Sequence, residues 1–331
     1  MIPLAVRAWH ADDWSQELRD AITDVRTLLD RLQLGDDGID LDPRFPLRVP
    51  ESFLARMRIG ERRDPLLLQV LPLADENRTV AGFVEDPLEE ARATRAPGLI
   101  QKYAGRALLI AAPSCAVHCR YCFRRAFPYA EHRQGVAFPQ LVEIERDTSI
   151  AEVILSGGDP LMLNDATFAN LVTRIDKIAH VRRLRIHTRL PVVIPRRITA
   201  ALLERLSSTR VAVAVVLHVN HANELAGELP DALAALRATG ITLLNQSVLL
   251  HGVNDDADAL VALSETLFTH GVLPYYLHLP DRVAGTAHFH VSTAQGRSLA
   301  DQIARRLPGY LVPRLARETP GLPYKEIINP A

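Results

Sequence analysis

The sequence predicts an α/β fold, a parallel sheet with helices outside it, and two observations carry that expectation. From about Arg106 onward six short apolar runs alternate with amphipathic segments, and six β/α units in succession imply parallel strands joined by helical crossovers. Polar residues also collect where each run ends, the edge at which strands of such folds deliver chemistry.

Residues 1–100 read as a mainly helical N-terminal region. Over residues 12–34, Leu18, Ile22, Val25, Leu28, Leu29 and Leu32 recur close to a helical period. Pro43, Pro46 and Pro50 then break the chain, and short segments follow to Pro97. Residues 101–291 hold the alternating units, with strands expected at 107–112, 152–156, 184–188, 211–219, 241–250 and 273–279. Helices are expected between them at 163–179, 198–207, 231–239 and 256–269. Residues 292–331 read as a C-terminal helix and a short tail. No internal repeat or low-complexity stretch interrupts this order.

A length of 331 residues allows one large domain with an appendage, or two modest domains. A hydrophobic content of 48% supports a sizeable core. With a formal net charge of −1 no bulk field recruits nucleic acid or a membrane surface, so neither is expected as a partner. No apolar run free of charge is long enough to span a bilayer. The opening MIPLAVRAWHADDW has no long apolar core of the kind an export signal needs, and a cytoplasmic location is expected. Of the 38 basic residues only Lys102, Lys177 and Lys325 are lysines, so any Schiff-base lysine must be one of these.

All three cysteines fall within eight residues, Cys115, Cys119 and Cys122, on the loop after the first strand. An odd count argues against a disulfide framework. The C-x3-C-x2-C spacing places three soft thiolates where they can hold one inorganic centre. Iron–sulfur clusters usually take four cysteines, so three leave one iron open to another ligand. The alternative is a Cys3His zinc site completed by His118. Such sites usually draw their ligands in two pairs from separate loops, whereas these four residues crowd one turn or two.

Ser156, Gly157, Gly158 and Asp159 close the second run, where glycines let the backbone approach a ligand and leave N–H and C=O groups to grip it. His187 and Arg189 follow the third run, His218 and Asn220 the fourth, Asn245 and Gln246 lie in the fifth, and His278 and Asp281 follow the sixth. Any one of them is explained by loops being polar. Their convergence on one mouth is the stronger signal.

The cysteine spacing and its flanks resemble the radical S-adenosylmethionine (SAM) superfamily. That resemblance implies a [4Fe–4S] cluster whose free iron is chelated by the amine and carboxylate of SAM, carried on an open, partial (β/α)6 barrel. The Ser156–Asp159 turn would then grip the SAM amine. More closely, KYAGRALLIAAPSCAVHCRYCFRRAFPY, ILSGGDPLM, RIHTRLPVVIPRRIT, VLHVNHANE, LNQSVLLHGVND and YYLHLPDRVAGTAHF resemble, in this order, the lysine 2,3-aminomutase family. The likeness runs from roughly residue 45 to the end. The extra C-terminal cysteines that bind zinc in the longer members have no counterpart here. The chain looks like the short subgroup that supplies (R)-β-lysine for modifying translation elongation factor P.

The family resemblance implies a second cofactor, pyridoxal 5′-phosphate (PLP), and conversion of L-α-lysine to (R)-β-lysine by migration of the 2-amino group. It assigns Lys325 as the Schiff-base lysine, although the glycine-rich run that precedes it in longer members is here Gly321-Leu-Pro-Tyr. Lys102, Tyr103 and Arg106 match positions that hold the PLP phosphate and ring. Arg124 matches the clamp on the substrate carboxylate, and His218 and Gln246 match SAM contacts. Asp281 matches an aspartate for the distal ammonium, and Glu318 stands where the family has a second one. A reducing partner such as flavodoxin or ferredoxin is implied, with a functional link to elongation factor P and its lysyl ligase. A family member acting on another amino acid such as glutamate would need a cation where Asp281 and Glu318 stand. A rival from a different class, a zinc-stabilised RNA-binding protein using the many arginines, is disfavoured by the near-neutral charge.

Overall fold

Several helices begin where the sequence supplies a cap. Asn164, Thr199, Asp256 and Ser292 each accept a backbone N–H from the first turn of the helix that follows, satisfying one of its orphan donors. The computed structural model describes residues 9–129 and 137–329. Its helices are α1 (Ala11–Arg19), α2 (Val25–Leu32), α3 (Glu51–Leu54), α4 (Glu90–Ala93), α5 (Leu141–Arg146), α6 (Asp165–Asp176), α7 (Leu190–Val193), α8 (Ala200–Ser207), α9 (Leu229–Ala238), α10 (Ala257–Thr269) and α11 (Thr293–Ala304). In α6 the buried residues are Phe168, Leu171, Val172 and Ile175, a single stripe facing the sheet.

The strands are β1 (Thr94–Ala96), β2 (Leu99–Ile100), β3 (Arg106–Ala112), β4 (Glu152–Gly157), β5 (Arg183–Thr188), β6 (Ala212–His218), β7 (Thr242–Val248), β8 (Leu273–His278), β9 (Arg314–Arg317) and β10 (Glu326–Ile327). They form one ten-stranded sheet in chain order. Pairing is parallel from β3 through β9 and antiparallel only at the two margins. The α/β class is therefore what the chain adopts. All of β4 is buried, as expected of a strand covered on both faces.

Two expectations need correction. The helical pattern over residues 12–34 is split, because Ile22 leaves the helix to exchange backbone hydrogen bonds with Val49, at 2.9 Å each way. Asp24 then caps a new helix by accepting from Thr27 N–H. Between α2 and α4 only α3 is α-helical, so this region is less helical than its periodicity suggests; the prolines at 43, 46, 50, 65 and 72 deny long runs their donors. The second correction is β9, a seventh parallel strand within the segment expected to hold only a helix and a short tail. Arg314-Leu-Ala-Arg317 has only Leu315 and Ala316 to bury, too short an apolar run to stand out.

Sheet curvature and an N-terminal belt position the site. Lys102, just ahead of β3, meets Glu318, just after β9, at 2.5 Å, so the two ends of the parallel array approach one another. The belt reaches the cysteine loop directly. Arg48 donates to the Cys115 carbonyl at 3.2 Å, His118 N–H donates to the Arg48 carbonyl at 3.1 Å, and Arg120 N–H donates to the Gln69 carbonyl at 2.9 Å.

Candidate active site

A cavity of about 480 Å³ runs along the sheet and is lined by the residues expected to hold cluster, cofactors and substrate. Asn220 and Asn245, also expected at this mouth, are instead buried behind it and bond to Gln69, Tyr121, Val219 and Ser247. The cysteine loop lies at one end. Strand ends of β4 to β8 supply the walls, and Lys102, Glu318 and Lys325 lie where the two margins of the sheet meet. The cavity also reaches Arg106 and Arg314, which open β3 and β9, so it extends back along the strands rather than stopping at their C-terminal ends. Lys177 ends α6 and does not line it, which leaves Lys102 and Lys325 as the lysines within reach.

At the cysteine end all three thiols are free. Burial pushes the Cys115 thiol well up, and burial together with neighbouring Cys119 pushes Cys122 up to about 11. Such a set needs a bound cationic centre to become thiolate, which suits a metal cluster. Among the described residues no three His, Cys, Asp or Glu side chains converge as a set for a single metal ion. A cluster does not require that convergence, since each thiolate binds its own iron. His118, the fourth ligand of the zinc alternative, has its Nδ1 at 2.9 Å from the Pro46 carbonyl and its ring against Phe45. Its place is in the belt.

Gly157 and Gly158 explain themselves sterically. A Cβ on Gly158 would lie 2.2 Å from the Ser114 carbonyl oxygen, and one on Gly157, at φ +123°, would lie 2.5 Å from that of Ala112. Gly158 N–H donates to Ala112 and Asp159 N–H to Ser114, both at 2.8 Å. These N–H groups, expected to face a ligand, instead bind the end of β4 to the cysteine loop. The Asp159 carboxylate is likewise claimed by the scaffold: it accepts from Leu161, Arg189 and Leu190 N–H and from the Thr188 hydroxyl. Ser156 accepts from Arg124 at 3.1 Å. His218 stacks on Tyr121, with ring centroids 5.6 Å apart, and its buried Nε2 has no protein partner. That orphan and the Gln246 side chain both face the cavity from neighbouring strands.

The opposite end is an alternating chain of charges. Glu90 grips Arg124 with both oxygens, at 2.7 and 2.8 Å, and takes Lys102 at 3.0 Å. Lys102 passes to Glu318 at 2.5 Å, and Glu318 to Lys325 at 2.5 Å. Burial alone would raise both glutamates; their cations outweigh it and hold each near 2. Asp281 has no such partner. Burial, then repulsion from Glu318, pushes its carboxyl up to about 7. His278 is held down to about 3 by burial and by Lys325, so it is neutral. Arg106 stacks on the Tyr103 ring at 4.6 Å while its buried Nε has no partner, a donor fit for an anionic group such as a phosphate.

Sequence reasoning passed over Glu90, which reads as half of an exposed acidic pair beside Glu89 yet is 3% exposed. It also changes the picture of Arg124, whose bidentate edge is occupied and whose remaining Nη1 donates to Ser156 and Gly157. Glu224 was invisible too, as nothing in NELAGELP marks a buried carboxylate.

Residues 104–189 match the family model of a 4Fe-4S single cluster domain, a span that contains the cysteine loop and the β4 turn. Within an α/β protein, that span is thus similar to an iron–sulfur cluster domain. Over nearly its full length the chain is 45% identical to L-lysine 2,3-aminomutase of Buchnera aphidicola, covering 99% of each chain. It is 47% identical to that of Escherichia coli, over 95% of this chain and 94% of the other. The longer enzyme of Clostridium subterminale is 31% identical over 94% of this chain and 76% of its own. The chain belongs to the lysine 2,3-aminomutase family, a family of isomerases.

Proposed function

We propose that this protein converts L-α-lysine to (R)-β-lysine with a [4Fe–4S] cluster, SAM and PLP. The observation that carries the reading is the single cavity that joins the three-cysteine loop to the Lys102–Glu318–Lys325 chain. When bound, the cluster and SAM supply a hydrogen-abstracting radical, and PLP stabilises the migrating nitrogen. Cys115, Cys119 and Cys122 would hold the cluster. Ser156, Gly157, Gly158, Asp159, His218 and Gln246 would shape the SAM site. Lys325 would anchor PLP through its amine, with Lys102, Tyr103 and Arg106 toward its phosphate and ring.

Arg124 would orient the substrate carboxylate, which would compete with Glu90 for its guanidinium. Asp281 and Glu318 would take the distal ammonium, and Asp281 is the better poised because its carboxyl lacks a cation. An anionic distal group, as in glutamate, would meet two carboxylates there. The parallel order of β3 to β8 and the meeting of Lys102 with Glu318 support reading the sheet as a partial (β/α)6 barrel flanked by an N-terminal region to residue 100 and a C-terminal segment from 292. The same reading places the enzyme in the cytoplasm, reduced by a flavodoxin or ferredoxin, with its product used to modify elongation factor P. Among the described residues no helix is long and apolar enough to cross a membrane. The test is an anaerobic incubation of the protein with lysine, SAM, PLP and a reductant. Formation of β-lysine supports the reading, and a cluster-loaded protein that leaves lysine unchanged removes it.

A further inference from the structure

Behind the cysteine loop lies a buried polar network that the reaction described above does not use. Arg189, 7% exposed, is its centre. Its Nη1 donates to the Cys119 sulfur at 2.9 Å and also contacts the Tyr121 hydroxyl. Its Nη2 donates to Gln69 Oε1 at 2.7 Å and to Glu224 Oε2 at 3.0 Å. Glu224 is fully buried, and its other oxygen accepts from Gln69 Nε2 at 3.1 Å and from the backbone N–H groups of Asn220 and His221 at 2.8 and 3.0 Å. Asn220 closes the ring by donating to Gln69 Oε1 and to the Tyr121 hydroxyl. The belt, the cysteine loop and the ends of β5 and β6 thus fix one guanidinium in one orientation.

We propose that Arg189 and Glu224 are a charge pair that sets the reduction potential of the cluster, Arg189 by hydrogen bonding a ligating sulfur and Glu224 by opposing it from behind. The proposal rests on reading Cys119 as a cluster ligand. Reduction adds one electron, and hence one negative charge, to the cluster. A cation donating a hydrogen bond to a ligating sulfur favours that reduced form and raises the potential, and hydrogen bonds to cluster sulfurs are among the known determinants of it. A buried carboxylate nearby does the reverse, with little solvent to screen either. Arg189 touches the sulfur and Glu224 stands one group further away, so the arginine has the larger effect. An arginine serving only as a brace would be satisfied by oxygens, whereas this one gives a donor to sulfur.

The test is a potentiometric titration of the anaerobically reconstituted full-length protein, followed by electron paramagnetic resonance without substrate, with iron content measured in parallel. Arg189→Gln should lower the ratio of reduced to oxidised cluster at fixed potential by roughly tenfold, which is about 59 mV for one electron. Arg189→Lys, which keeps the charge and loses the fork, should fall between that variant and the unaltered protein. Glu224→Gln, equal in volume and still an acceptor, should shift the ratio the opposite way and by less. Opposite signs are what bracing alone cannot produce. If the two glutamine variants shift together, or neither shifts, the proposal is overturned. Should Arg189→Gln fail to hold iron, Arg189→Lys and Glu224→Gln decide by the same criterion. If the unaltered protein takes up no cluster at all, the reading of the cysteine loop fails and takes this inference with it.

Discussion

At the cysteine end of the cavity the protein holds its own shape. Gly158 and Asp159 bond the β4 turn to the loop, Arg48 and Gln69 bond the belt to it, and Arg189 fixes a sulfur from behind. At the Lys325 end, five charged side chains from Arg124 to Lys325 neutralise one another in a row. Backbone hydrogen bonds and close-packed glycines have one solution, so the first end is preorganised. Ion pairs can be exchanged for other ion pairs, so the second end can be rearranged by anionic and cationic ligands. Glu90 and Glu318 occupy cations that a phosphate and a substrate carboxylate would also seek. The contrast suits a rigid inorganic centre at one end and exchanging organic ligands at the other.

The largest effect should come from breaking the rigid end. Cys119→Ala should abolish cluster retention and lysine turnover while the fold survives, read as loss of iron with a cooperative melt retained. Full iron and unchanged turnover would refute the assignment. Lys325→Ala attacks the other end: borohydride should no longer fix PLP to the protein, while iron content stays normal. PLP still fixed in that variant would make Lys102 the anchor.

Asp281→Asn should spare both cofactors and lower kcat/KM for lysine by roughly 10²-fold, about 2.7 kcal/mol for one charged partner. The pH dependence gives the sign independently. A carboxyl near 7 in the free site must ionise to pair with an ammonium, so lysine affinity should climb as pH rises through 7 and binding should release a proton. In the asparagine variant that slope should vanish; its persistence would exclude Asp281. Smallest is Glu90→Gln, which takes from buried Arg124 its counter-charge and one of the two oxygens it receives from residue 90. We expect about 1–3 kcal/mol lower stability in the ligand-free protein, partly restored by lysine, measured as Tm with and without it. If lysine gives this variant no extra stabilisation, Arg124 is not the carboxylate clamp.

What was legible in the sequence divides along the same line. The six long strands and four of the helices follow from apolar period and caps, and the structure places each within a few residues of its expected range. The cysteine loop announces itself by spacing. Lys325 does not, since a lone lysine near a chain end carries no periodicity, and only family resemblance pointed to it. Glu90, Glu224 and β9 were missed for one physical reason. Burial of a charge, or of a two-residue apolar pair, is decided by partners distant in sequence: Arg124 and Lys102 for Glu90, Arg189 for Glu224, β8 for β9.

Strand β10 gives the lysine end a kinetic character of its own. It joins the sheet by only two residues, Glu326 and Ile327, at an open margin, and Lys325 immediately precedes it. Margins tied by so few hydrogen bonds are the first to open, far below the free energy of global unfolding. Amide exchange at Ile328, whose N–H donates to the Leu315 carbonyl at 2.9 Å, therefore reports how often Lys325 comes away from the cavity wall. A bulky organic ligand would have a way in by fraying at this edge that leaves the other eight strand pairings undisturbed.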